Sequence, residues 1–421
     1  MRRNLTPDLA LAEHLFSVLR EQTFDGVGIT REAYGPGERV AHALVAEQAA
    51  ALGLEIAIDP AGNMLLTLPG HDRAAPRVVI GSHLDSVPRG GNFDGAAGVL
   101  AGLAAVSGMR RAGVRLARDV TVLVIRAEES GAWFPTSFPG SRAALGTLPP
   151  AALEVRRMDS GRTLGEHMAE EGFSPEAVRA GSCLLPPASV ASYVELHIEQ
   201  GPVLDSEGIP VGIVTGIPGS RRWRAGRVVG EYNHSGATPR RYRRDAALAL
   251  AELAYRLDDA WAELEANGHQ MVCTFCVLAT TADAGFTKIA GEARFQLDLR
   301  SVSQASIDVL AAALHRLVPE IERRRGVRVE LGAELSAAAT PLDAGVRAGL
   351  AQAAHALGIA CKHMPSGGGH DAVAFAQAGV PAAMVFVRNQ NGSHNPREDM
   401  RMEDFADAAA VVTQWAAETA A

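Results

Sequence analysis

Between residues 7 and 53 the apolar positions recur at helical spacing. They predict one helix from Pro7 to Arg20 and a second from Gly37 to Leu52, stopped by Gly53. Three short apolar runs follow, LEIAID, NMLLTLP and RVVIGSHLD, each the length of a strand. A glycine-rich loop then opens the helix DGAAGVLAGLAAVSGMRRAGV, and VTVLVIRAEE reads as a buried strand. Strands alternating with helices predict a largely parallel sheet covered on both faces.

The pattern changes in the middle of the chain. From Trp223 to about Leu335 the order is strand, helix, strand, strand, helix, strand. The strands are RWRAGRVVGEY, MVCTFCVLATT, ARFQLDLRS and VRVELGAEL; the helices follow Thr238 and run from Gln304 to Arg325. This is the split βαββαβ order of a small ferredoxin-like domain. After Pro341 the earlier alternation of helix, strand and loop returns. The expected fold is therefore α/β: a discontinuous doubly wound catalytic domain, residues 1–213 and 336–421, with an inserted α+β ferredoxin-like domain at residues 214–335. The crossings near Val211 to Ser220 and Leu335 to Pro341 contain Gly, Pro and Ala and suit a hinge. The strand RWRAGRVVGEY is expected to offer a bare edge to a second copy, which a two-fold homodimer would close.

A length of 421 residues agrees with two domains, and 47% hydrophobic with 21% charged residues is ordinary for a globular chain. The net charge of −8 argues against nucleic acid as a partner. Two local basic clusters stand out: Arg221, Arg222, Arg224 and Arg227, then Arg240, Arg241, Arg243 and Arg244. A solvated surface is the plainer reading of them, and an anion-attracting wall beside an active site the sharper one. Cys183, Cys273, Cys276 and Cys361 are too few for a disulfide scaffold. Cys273 and Cys276 lie in an apolar strand and read as structural thiols. No apolar signal core follows Met1-Arg2-Arg3, and no run of about 18 apolar residues exists. A cytoplasmic protein without a membrane partner is expected.

Chemistry-bearing residues gather at the ends of the apolar runs. His83 ends VVIGSH, Asp85 follows two residues later, and Asp94 opens a helix after the Gly90-Gly91 turn. Glu128 and Glu129 end TVLVIRA, His197 ends YVELH, and His394 follows AAMVFV. In open α/β sheets ligands bind at the carboxyl ends of the strands. Three imidazoles and two carboxylates, His83, Asp94, Glu129, His197 and His394, suit zinc or another first-row ion. Five ligands exceed what one catalytic zinc needs, so two ions sharing a carboxylate fit better. The adjacent Glu128 is then free for proton transfer.

The stretches GSHLDSVPRGGNFDG, ELHIEQGP, SGGGHDA and SHNPRED, with the Glu128-Glu129 pair, resemble the dinuclear amidases of the M20 metallopeptidase superfamily. Within it they are most similar to the hydantoinase/carbamoylase type: N-carbamoyl-L-amino acid hydrolases, β-ureidopropionase and allantoate amidohydrolase. The resemblance implies that His83, Asp94 and His197 bind one ion, and Asp94, Glu129 and His394 a second. Zinc is the first expectation, with manganese, cobalt or nickel as alternatives. It makes Glu128 the general base and Asp85 the residue that orients His83. A histidine at 197, where peptidase branches carry a carboxylate, favours carbamoyl or ureido substrates.

The same resemblance makes the inserted domain a lid and dimerisation domain. Its His234, in NHSGATP, would reach the partner subunit's active site. Arg300, in FQLDLRS, would hold the carboxylate of a small substrate, with Gln200 and His370 as further substrate contacts. Two departures touch the substrate side. The family's N-x-hydrophobic-P-G turn is here Thr287-Lys288-Ile289-Ala290-Gly291, which sets Thr287 against the expected asparagine, and FVRNQNGSH lacks a Pro-Ser. The expected activity is metal-dependent hydrolysis of a ureido C–N bond. Two rival readings are an aminoacylase or dipeptidase on the same scaffold, and a non-catalytic small-molecule-binding homologue; the second would be expected to have lost Glu128 or a ligand.

Overall fold

The helical periodicity near the N-terminus produces α1 (Leu9–Thr23) and α2 (Pro36–Ala51). Asp8 starts α1 by accepting the Leu11 N–H, and Pro36 starts α2, where its missing N–H costs nothing. A computed structural model describes residues 5–421 of the chain. These residues form two compact units: one runs to Thr215 and resumes over Leu342–Ala421, and the other is Gly216–Pro341.

The first unit is built on an eight-stranded mixed sheet. Its strands are β1 (Glu55–Ile58), β2 (Met64–Leu68), β3 (Arg77–His83), β4 (Val120–Ile125), β5 (Val190–Ile198), β6 (Val211–Val214), β7 (Cys361–Met364) and β8 (Ala382–Val387). Across the sheet the order is β1-β2-β4-β3-β5-β8-β6-β7. The central four, β4, β3, β5 and β8, run parallel, so their carboxyl ends share one edge. Buried on both faces, β4 has room only for apolar side chains and threonine. Helix α3 (Ala96–Arg111) packs on the sheet with α1 and the C-terminal helix Met402–Thr419 against it. It is buried from Ala96 to Met109, which explains why its sequence shows no polar face.

The second unit places helices Ala246–Ala266 and Gln304–Arg325 with a five-stranded antiparallel sheet. Across that sheet Val272–Thr280 lies next to Glu292–Ser301, then Gly219–Val229, which pairs on its far side with both Arg328–Glu330 and Glu334–Ala337. Two expectations need correction here. The run VRVELGAEL is two strands and not one, because Gly332, at φ +77°, turns the chain between them. The strand within RWRAGRVVGEY is the paired centre of the sheet and not a bare edge. An edge depends on strand order, which local patterning does not encode. One edge strand is Val272–Thr280, whose Val272, Val277 and Leu278 are exposed, and the short strands Arg328–Glu330 and Glu334–Ala337 form the other edge.

All four cysteines are free thiols; Cys276 is exposed beside the bulge between Phe275 and Val277. Burial pushes the Cys273 thiol up to about 12. Among the described residues no helix is long and apolar enough to cross a membrane.

Candidate metal centre

The parallel edge of the first unit collects the predicted residues. His83 is the last residue of β3, His197 lies at the end of β5, Glu128 and Glu129 follow β4, and His394 sits in the loop after β8. These are four neighbouring strands, so residues far apart in sequence converge. Asp94 arrives from the loop before α3. Gly95, at φ +65°, completes that loop, and a Cβ there would stand 2.3 Å from the His83 ring.

Two clusters result, His83 with Asp94 and His197, and Asp94 with Glu129 and His394. In the first, His83 Nε2 faces His197 Nε2 at 3.4 Å, and Asp94 Oδ1 lies 3.1 Å from His197 Nε2 and 3.8 Å from His83 Nε2. The other ring nitrogens each face an acceptor. His83 Nδ1 donates to the Asp85 carbonyl at 3.1 Å and His197 Nδ1 to the Ile198 carbonyl at 2.9 Å. A carbonyl only accepts, so each neutral ring leaves a bare lone pair on Nε2. Asp94 Oδ1 is buried and turned toward both rings. Two ring nitrogens and a carboxylate oxygen therefore converge, a donor set that suits a first-row cation, which would take the place of any proton on either Nε2.

The second cluster is more open. His394 Nε2 lies 3.2 Å from Glu129 Oε1 and 3.4 Å from Asp94 Oδ2, and its side chain is 50% exposed. Gln200 donates its amide to Asp94 Oδ2 at 2.8 Å and lies 3.3 Å from His394. Asn389 accepts the Gln200 N–H and so supports its positive φ. His370 is buried with its ring edge-on to His197, 4.5 Å between centroids, and its Nδ1 has no partner.

The field at this edge is strongly negative. Burial resists charge on His83, yet Glu128 and Asp85 hold its pKa well above the ordinary imidazole value. Burial, against the pull of His83 and with the push of Glu129, raises the Glu128 carboxyl well above its usual range. Asp94 is drawn well below: burial opposes this, and His197 and His394 outweigh it. Hydrogen bonds to Asp94 and then Glu129 hold His394 up to about 11.

Asp85 has a larger part than motif reading assigns it. One oxygen is 3.3 Å from His83 Nδ1, and its carboxylate also accepts the N–H of Glu128 at 3.1 Å and of Glu129 at 2.9 Å. Sequence reasoning missed Glu398, which accepts the N–H groups of Phe93 and Asp94 and the hydroxyl of Ser393. It ties the Asp94 loop to the His394 loop. A Cβ at Gly91 would stand 2.1 Å from that carboxyl, which is a reason for the second glycine of the turn. Arg31, fully buried, is a cation among these carboxylates that no motif flagged.

His234, Thr287 and Arg300 belong to the second unit. The two-residue strand Asn233–His234 pairs with Lys288–Ile289, and Ser235 donates its N–H to the Thr287 carbonyl. His234 Nδ1 accepts the N–H groups of Gly236 and Ala237, so the neutral ring carries its proton on Nε2 and presents a donor. Asp298 takes Arg300 Nε at 3.0 Å and Nη2 at 2.8 Å, and Arg222 Nε lies 3.3 Å from its other oxygen.

Comparison with known proteins places the chain in a family. Residues 79–418 match the model of peptidase family M20/M25/M40. An N-carbamoyl-L-amino acid amidohydrolase of Geobacillus stearothermophilus is 37% identical over 92% of this chain and 93% of its own length. The allantoate amidohydrolase of Bacillus subtilis is 31% identical over 88% of each. The solved structure of a hydantoinase/carbamoylase family amidase from Burkholderia ambifaria superposes with a TM-score of 0.89 at 32% identity, covering 100% of this chain and 99% of that one. The chain belongs to peptidase family M20/M25/M40, as a metal-dependent amidohydrolase acting on carbon–nitrogen bonds other than peptide bonds.

Proposed function

We propose that the chain hydrolyses the ureido C–N bond of an N-carbamoyl amino acid or a related small carboxylate such as allantoate, with two divalent ions per chain. The observation that carries the reading is Asp94, whose two oxygens face two separate clusters, Oδ1 toward His197 and Oδ2 toward His394. His83, Asp94 and His197 would hold one ion, and Asp94, Glu129 and His394 the other. Zinc suits this donor set first, and manganese, cobalt or nickel would also fit. Held by these residues, divalent ions would supply Lewis-acid polarisation of the substrate carbonyl and a lowered pKa for bound water.

The remaining work falls to side chains. Glu128 stands in neither triad, yet its Oε2 lies 3.7 Å from His83 Nε2. It takes a proton from the attacking water and returns it to the leaving nitrogen, so the amine departs neutral. Asp85 orients His83 and both glutamate peptides. His234 of the partner subunit donates Nε2–H to the developing oxyanion, where one donor is worth about 2.7–4 kcal/mol. Arg300 takes the substrate carboxylate, aligned for it by Asp298. Gln200 and His370 line the metal edge as substrate contacts, and Thr287 stands in for the family's asparagine. The new C–O bond makes a carbamate, which breaks down to ammonia and carbon dioxide.

The working form is a homodimer in the cytoplasm, joined along the edge strand Val272–Thr280, with the Gly216–Pro341 unit as a hinged lid. Titration of chelator-stripped protein is expected to show two divalent ions per chain. Activity disappears on chelation and returns to differing extents with zinc, manganese, cobalt or nickel. A fully active preparation with one ion or fewer per chain contradicts the dinuclear reading.

A further inference from the structure

The segment that carries Glu128 and Glu129 leaves β4 through an unusual backbone. Ala127 sits at φ +58°, a left-handed conformation that a residue with a Cβ adopts only when its surroundings enforce it. Four consecutive N–H groups show what enforces it. Arg126 N–H donates to Asn63 Oδ1 at 2.9 Å, and Ala127 N–H to Glu38 Oε1 at 3.0 Å. Glu128 and Glu129 N–H donate to the two oxygens of Asp85. All three acceptors, Asn63, Glu38 and Asp85, are fully buried.

The acceptors are themselves fixed. Asn63 donates its amide to Asp59 at 2.7 Å and to the Gly140 carbonyl at 3.0 Å. The second Glu38 oxygen accepts the Tyr34 N–H and Arg126 Nη1, both at 2.8 Å. The Arg126 guanidinium lies 4.8 Å from the Phe173 ring centre and donates Nε–H to the Gly62 carbonyl. Glu38 thus meets the left-handed residue directly and grips the residue before it by its side chain. Both Glu38 and Asn63 lie outside the residues that match the family model.

We propose that Glu38 is a positioning residue: through the Ala127 N–H and Arg126 it holds the turn that aims Glu128 and Glu129. The catalytic part of this rests on Glu128 as the proton carrier; the structural part does not. Glu38→Gln keeps the shape and replaces one acceptor oxygen with a donor. Three groups surround the carboxylate, and all three donate, so that donor has no partner. The turn then relaxes toward negative φ and both glutamates shift. A misplacement of this kind costs ~10²-fold in rate.

The experiment compares wild type, Glu38→Gln, and Glu38→Gln combined with Ala127→Gly. Glycine adopts the left-handed conformation without a Cβ penalty, so it should return part of what Glu38 enforces. Hydrogen–deuterium exchange of the peptide covering residues 126–129 is expected to quicken at least ~10-fold in Glu38→Gln and to slow again in the double variant. The kcat for ureido hydrolysis is expected to fall ~10²-fold, with KM little changed, and to recover in part in the double variant. If Glu38→Gln does not fold, Glu38→Asp carries the same comparison, since it keeps the charge opposite Arg126 and withdraws its oxygen from Ala127. Unchanged exchange at 126–129, or a kcat loss that Ala127→Gly does not relieve, overturns the proposal. A wild-type protein without ureido hydrolase activity would remove the reading of Glu128, while the exchange result still decides the role of Glu38.

Discussion

Glu128→Gln is expected to keep its metal and lose its turnover. The substitution removes a proton carrier without touching either triad, and its amide is close in size to the carboxyl it replaces. General acid–base groups contribute ~10²–10⁴-fold, and a base that must also protonate the leaving nitrogen belongs at the upper end. The neighbouring Glu129→Gln is expected to behave differently. It withdraws a charged oxygen 3.2 Å from His394 Nε2, so it weakens one ion and leaves the other in place. Metal content and kcat measured on the two variants separate the roles. A near-normal rate in Glu128→Gln, or undiminished metal in Glu129→Gln, reverses the assignment.

The second large effect concerns the shared site. Glu128→Gln and His234→Ala should each be nearly dead. Mixed under conditions that exchange subunits, they should recover activity. If His234 serves the partner's site, a mixed dimer places both defects in one site and leaves the other intact. Random exchange makes half the dimers mixed, so the recovery approaches roughly a quarter of wild-type activity for a two-fold assembly. The ring is prepared for this part: two backbone N–H groups occupy Nδ1, which leaves Nε2 as the donor. A mixture that stays dead after proven exchange shows that His234 acts within its own chain or not at all.

Much of this site was legible because of where parallel strands end. An apolar run that stops at His83, Glu128 or His197 announces a sheet edge, and adjacency of the strands brings those endings together. The order of strands is not local, so the central place of Gly219–Val229 was hidden and its strand read as an edge. The supporting carboxylates were hidden for a related reason. Glu398 and Glu38 act by accepting backbone N–H groups from segments far along the chain, which no motif records. Glu38 did leave a trace. It lies on the stripe Glu38, Ala41, Val45 and Ala49 that α2 buries, so it is a charged residue at a core position. Such a residue, lacking a partner on its own helix, has to find one elsewhere. By contrast the support of Gln200 by Asn389 depends on a loop conformation at positive φ, for which apolar periodicity carries no signal.

The central claim is the bond that is broken. It is tested most directly by ammonia release from metal-reconstituted enzyme across N-carbamoyl amino acids, β-ureidopropionate, allantoate, N-acyl amino acids and dipeptides. The account predicts ammonia from one or more of the ureido compounds and no turnover of the acyl amino acids or dipeptides. Hydrolysis confined to acyl amino acids or dipeptides, with the ureido compounds untouched, would contradict it.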